Sequence, residues 1–129
     1  MKSLIKLSIL LLFILSCDNS INKQLRDISN ELNKMCPMVV DKYSTLMNTG
    51  VINENLMYSY KFNIDYFYDN DISKSEWKES QSNYLTNFYC TEPDFHFYRE
   101  NNINVIWRYS ELDGSYFDEI ELNMNNCNN

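Results

Sequence analysis

A base that titrates near neutral pH is the commonest requirement of catalysis, and one histidine, His96, is available to meet it. It stands among Phe95, Phe97 and Tyr98 with no second histidine and no cysteine at zinc-ligand spacing, which reads as a structural histidine. Cys36 follows a helical pattern, and a helix C-terminus disfavours the thiolate that a nucleophile needs. Asp65, Asp69 and Asp71 suggest a calcium loop at first glance, yet the required glycine and the twelve-residue ligand spacing are missing. Asp118, Glu119 and Glu121 lie on an alternating segment that sends Asp118 to one side and the two glutamates to the other, the pattern of a solvated strand. Two glycines leave no phosphate-binding loop and no serine-nucleophile elbow. No catalytic residue, metal site or cofactor is assigned, and the chain reads as a non-enzyme.

Cys17, the first of the four cysteines, is different. Residues 1–16, MKSLIKLSILLLFILS, open with Lys2 and Lys6 and continue into an apolar run from Leu7 to Leu15 that stops at a small residue. That is the layout of a signal peptide, and the run is about half of the roughly 20 apolar residues a membrane-spanning helix needs. Ile14-Leu15-Ser16-Cys17 resembles the lipobox of bacterial lipoprotein precursors, with Leu15 larger than the family prefers at its position. The resemblance implies cleavage after Ser16, a diacylglyceryl thioether on Cys17 and acylation of the new amino terminus by a fatty acid such as palmitate. Several acyl chains anchor far more firmly than one. The expected organisation is therefore a signal peptide, 1–16, and a single membrane-tethered domain, 17–129, on the non-cytoplasmic side of a bacterial membrane in the cell envelope.

Loss of Lys2 and Lys6 leaves nine basic against eighteen acidic residues, a net charge of −9. Nucleic-acid binding and adhesion to anionic lipid both need clustered Lys and Arg, so neither is expected, and a charged partner is expected to be basic. Two Gly and two Pro leave no linker or low-complexity segment.

The elements that must position these groups follow from periodicity. Ile21, Leu25, Ile28, Leu32 and Met35 line one face of a helix over about 20–35, stopped by Pro37. Asp18 and Asn19 alone separate its expected start from Cys17, a reach of about 10 Å, so the domain sits close to the bilayer. Ser44–Ile52 reads as a strand. Tyr58, Tyr60, Phe62, Ile64, Tyr66 and Tyr68 alternate with Met57, Ser59, Lys61, Asn63, Asp65 and Phe67, predicting a long antiparallel strand with one aromatic, buried face. Ser73 and Glu76 form a capping box, with Ile72 and Trp77 as its hydrophobic staple, and open a second helix whose apolar face is Trp77, Tyr84, Leu85 and Phe88. Thr91, Pro93 and Asp94 start a short third helix ending at Asn101-Asn102. A hairpin of 104–110 and 116–124 turns at Asp113-Gly114. The predicted fold is α+β in the order α-β-β-α-α-β-β: a four-stranded antiparallel sheet with the N-terminal and two central helices on its aromatic face.

In that arrangement the hairpin returns Cys127 toward Cys90, and an exported chain retains disulfides. A Cys90–Cys127 bridge is favoured, with Cys36 a buried free thiol; pairing of Cys36 with either partner stays open because spacing does not determine connectivity. Cys36-Pro37-Met38 through Asp41, with the later Cys90 and Cys127, resembles small uncharacterised secreted bacterial proteins, a likeness that implies no activity. Two functional classes are carried forward. One is a membrane-anchored, non-catalytic binding or scaffold protein with an envelope protein partner. The other is an inhibitor or immunity protein that covers a basic cell-wall enzyme or toxin. A ligand pocket lined by Tyr and Trp remains open to the structure.

Overall fold

The computed structural model describes residues 21–127; the signal-peptide segment, Cys17 and the last two residues lie outside them. Helix α1 covers 21–34 of the described chain. It buries Leu25 completely and Ser29 almost so, while Lys23, Asp27, Glu31 and Lys34 stay exposed, as the 3.6-residue period requires.

Five strands form one sheet in the order β1-β2-β3-β4-β5: β1 Met38–Val39, β2 Ser44–Ile52, β3 Asn55–Phe62, β4 Val105–Ser110 and β5 Tyr116–Leu122. This corrects the expected four strands, because Met38 and Val39 pair with Leu46 and Thr45 as a short edge strand. It also corrects the all-antiparallel sheet. β3 and β4 run parallel, with Tyr58 beside Trp107 and Tyr60 beside Tyr109. The reason is the connection between them: helices α2 (Tyr66–Asn70), α3 (Lys74–Thr91) and α4 (His96–Glu100) carry the chain back along the sheet before β4 begins, as a parallel crossover must. A hairpin on each side completes the sheet.

The long alternating strand was expected to reach Tyr68, but β3 stops at Phe62. Asp65 accepts a hydrogen bond from the Tyr68 amide at 3.2 Å and caps α2, which Asp71 ends in a left-handed conformation at φ 49°. A capping side chain thus outweighs an aromatic alternation that would also have suited a strand. The Ser73–Glu76 capping box forms at α3, with Glu76 bonded to the Ser73 amide at 2.7 Å, which holds the Glu76 carboxyl below its usual range. Downstream, a 3₁₀ turn at Pro93–Phe95 precedes α4. Gly114 takes φ 89° in the β4–β5 turn.

All the described helices contribute to one apolar layer on one sheet face. Leu25, Trp77, Leu85, Tyr89 and Tyr98 meet Leu46, Leu56, Tyr58, Phe62, Val105, Trp107, Tyr109 and Ile120 in a single core. Its centre is aromatic: Trp77 meets Tyr109 edge-on at 4.9 Å and Phe117 at 5.1 Å, and Phe62 stacks on Tyr109 at 5.7 Å. Such pairs add about 0.5–1.5 kcal/mol each beyond area burial. The opposite sheet face carries Ser59, Lys61 and Arg108, with Arg108 paired to Glu119 at 3.1 Å across β4 and β5. Cys90, at the end of α3, is bonded to Cys127 in the 3₁₀ turn Met124–Cys127, and Cys36 is free.

Candidate functional site

The residues singled out for chemistry are dispersed. His96 projects from α4, with its side chain 65% exposed, and pairs with Glu100 one turn on at 2.9 Å. Cys36 is half-buried, donates to the Leu32 carbonyl at 3.4 Å, and burial raises its thiol above its ordinary value. Asp118 points to the helix side, where burial raises its carboxyl but bonds from Lys78 at 3.0 Å and the Glu119 amide at 2.8 Å outweigh that and lower it. Glu119 and Glu121 lie on the opposite face, bonded to Arg108 and Asn104. Among the described residues, no three His, Cys, Asp or Glu gather as metal ligands would. Cys17 lies outside those residues.

What the fold does build is a groove on the helix side, between α1 and the α3–α4 corner. It has a volume of about 430 Å³ and is lined by Ile28, Leu32, Tyr58, Phe88, Glu92, Asp94, Phe95 and Tyr98. Ile28 and Leu32 are consecutive turns of the α1 apolar stripe, which the core only partly covers. Tyr58 forms the floor from β3 and Tyr98 adjoins it from α4; the two hydroxyls share a hydrogen bond, and burial pushes the Tyr58 hydroxyl far above its ordinary value. Phe88 meets Phe95 edge-on at 5.0 Å and stacks with Tyr84 at 6.2 Å. Tyr84 is 62% exposed, a correction to its expected place on the buried face of the second helix; it extends the aromatic surface outward, and Tyr89 takes the buried position instead. Both charged residues of the lining, Glu92 and Asp94, are acidic. The groove is apolar in its floor and walls and negative at its rim.

Sequence reasoning missed this site because its members come from five elements: α1, β3, α3, the 3₁₀ turn and α4. A hint was present in α1, whose stripe is longer than one sheet edge can cover, and in the Glu92-Pro93-Asp94 run, which puts two carboxylates on either side of a helix-starting proline.

Two backbone positions along the sheet edges are already occupied by side chains. Asn33 of α1 bonds both backbone groups of Thr49, accepting from its amide at 2.7 Å and donating to its carbonyl at 3.0 Å, as a neighbouring strand would. At the other edge, Lys74 donates to the Phe117 carbonyl at 2.9 Å. Side chains occupying edge positions prevent strand addition there.

No family model matches the chain, and no curated protein matches its sequence. Solved structures do share its fold. A protein from Pseudomonas aeruginosa described as secreted superposes with TM-score 0.73 at 11% identity, covering 85% of this chain and 95% of that one. A pilotin of the Vibrio vulnificus type 2 secretion system gives 0.69 at 8% identity, covering 86% and 94%. The type II secretion system pilotin of Vibrio cholerae gives 0.67 at 10% identity, covering 88% and 98%. At these identities the likeness is one of fold, extending over nearly the whole of each neighbour.

Proposed function

We propose that this chain is a lipoprotein of the bacterial envelope, processed after Ser16 and anchored through Cys17, whose folded domain is a non-catalytic binding protein for an envelope protein partner. The observation that carries the reading is the groove between α1 and the α3–α4 corner: apolar, aromatic-floored and acid-rimmed. Its chemistry suits a partner segment with an apolar face and basic flanks. Apolar burial supplies the affinity, and Glu92 and Asp94 orient the segment and speed the encounter. The fold shared with two secretion-system pilotins and a secreted protein supports an envelope role without specifying which. Inhibition of a basic enzyme or toxin is the second reading, favoured by the same acidic rim and the net charge of −9 in the mature chain.

The test is site-specific photocrosslinking of the lipidated chain in its native envelope. Crosslinkers replacing Ile28 and Phe88 are expected to yield one partner band, lost in Glu92→Lys/Asp94→Lys and weakened by salt. A crosslinker at Ser59, on the opposite sheet face, is expected to yield none. Equal capture from both faces, or capture indifferent to the rim reversal, refutes the groove as the binding site. Identification of the band as a basic hydrolase or toxin selects the second reading.

A further inference from the structure

A second cavity, of about 490 Å³, opens between α1 and the β2–β3 hairpin and shares no lining residue with the groove. On its helix wall Asn22, Arg26, Asn30 and Asn33 recur at spacings of four, four and three, a polar stripe of α1 set against the outer edge of β2. Both ends of this seam are stitched. Asn22 donates to Glu54 in the β2–β3 turn at 3.1 Å, and Asn33 holds the amide and carbonyl of Thr49. Below them the hydroxyls of Ser29 and Thr49 meet at 2.7 Å, so the buried floor is satisfied. The middle of the seam is open: among the described residues, the side chains of Arg26 and Asn30 have no hydrogen-bond or ion-pair partner.

The strand side is open at the same level. Both backbone groups of Thr49 reach Asn33 and therefore point away from β3; Val51, two residues on in unbroken register, points the same way. Its N–H and C=O face the cavity, and no described group bonds them. The turn beyond holds Asn53 and Glu54 at φ 48° and 64°. A two-residue turn of that hand favours glycine at its second position. Glu54 stands there instead, at a backbone cost of about 1–2 kcal/mol, and puts a carboxylate on the cavity wall. Arg26 and Glu54 thus line one cavity with opposite charges that form no ion pair.

We infer that this cavity is a binding site for a short, extended peptide with both termini free, of dipeptide size. The peptide carboxylate takes the Arg26 guanidinium, its ammonium takes the second oxygen of Glu54, and its amide group pairs with the backbone of Val51 as one step of an added strand. The footprint agrees. Asn22 and Asn33 are eleven residues apart, about 16 Å of helix, and an extended dipeptide of about 7 Å fits between the two stitches. A single amino acid has no amide to offer the strand, and a longer chain needs the Thr49 groups that Asn33 already holds. The site depends on neither the groove nor the lipid anchor.

The experiment titrates the full chain, purified from its native membrane in mild detergent, with alanylalanine, its methyl ester and its N-acetyl derivative. The Val51 backbone amide and the Asn30 side-chain amide are followed by heteronuclear NMR. Alanylalanine is expected to shift both signals saturably. Esterification is expected to weaken binding about tenfold in the wild type, the loss of one charge-assisted bond, and to cost nothing further in Arg26→Gln. N-acetylation is expected to behave in the same way against Glu54→Gln. Absence of a saturable shift at Val51 overturns the site, as do blocking penalties that persist undiminished in the two variants. Shifts confined to Tyr58 and Phe88 place the peptide in the groove and overturn it equally. Arg26 and Glu54 are both exposed, so the variants are expected to keep the tryptophan fluorescence of the folded chain, and the blocked peptides probe the same two contacts on the wild type.

Discussion

Breaking the Cys90–Cys127 bridge offers the sharpest energetic test of the fold. The bridge closes 37 residues of sequence, and within that loop lie the 3₁₀ turn, α4, β4 and β5. In the chain-entropy model a loop of that length removes about 13 cal/mol/K from the unfolded ensemble, or about 4 kcal/mol at 25 °C. A domain of this size is stable by about 5–15 kcal/mol, so the bridge supplies between a quarter and most of the total. At the entropy of unfolding typical for this length, the loss corresponds to a fall in Tm of roughly 15–20 °C. The assay is urea unfolding followed by tryptophan fluorescence, since Trp77 and Trp107 are both buried in the core. Wild type, Cys90→Ala/Cys127→Ala and Cys36→Ala are compared with and without reductant. The double variant is expected to match the reduced wild type and to lie about 4 kcal/mol below the oxidised one, whereas Cys36→Ala is expected to respond to reductant as wild type does. A loss under about 1 kcal/mol, or a Cys36→Ala chain that no longer responds to reductant, refutes the pairing or the entropic argument for it.

Asn33→Leu removes both bonds to the Thr49 backbone and leaves a buried strand amide without its acceptor; a loss of about 1–3 kcal/mol is expected, together with faster hydrogen exchange at Thr49. Leu25→Ala, at a position with no exposure, is expected to cost about 2–5 kcal/mol in the same unfolding assay, whereas Leu112→Ala, in the exposed β4–β5 turn, is expected to leave the midpoint nearly unmoved. Burial pushes the hydroxyl of Tyr60 up to about 12 and those of Tyr58 and Tyr109 higher still. Because these folded-state values exceed the unfolded value of about 10, their neutral forms stabilise the fold fully below pH 10, and that contribution falls as pH rises through the shifted range. Spectroscopic titration is therefore expected to show these three ionising late and together with loss of tryptophan signal; smooth titration near pH 10 would contradict their burial. Lys78→Ala, which frees Asp118, is expected to shift stability by no more than about 1 kcal/mol at neutral pH, because Lys78 is half-exposed.

Local rules alone determined much of this molecule. The stripe of Leu25, Ile28 and Leu32, the capping box at Ser73 and the turn at Asp113-Gly114 are decided by residues a few positions apart, and each appears where its local chemistry places it. The alternation through Tyr58, Tyr60 and Phe62 correctly gave the buried face of β3, and the hairpin logic that brought Cys127 toward Cys90 agrees with the bonded pair in the structure. Three things were left to the tertiary structure. Whether Tyr66 and Tyr68 continue a strand or begin a helix depends on Asp65 finding an amide to cap, a competition that a period-two pattern does not register. Whether β4 lies parallel to β3 depends on how far the three helices carry the chain back, which is a property of the crossover and of no residue in either strand. The groove depends on both decisions, since Tyr58, Tyr98, Phe88 and Ile28 become neighbours only after α1 and the α3–α4 corner settle on the same sheet face. Patterns within one element report which side is buried; they carry no information about what is left uncovered where two elements fail to meet, and in this chain that uncovered seam is the candidate site.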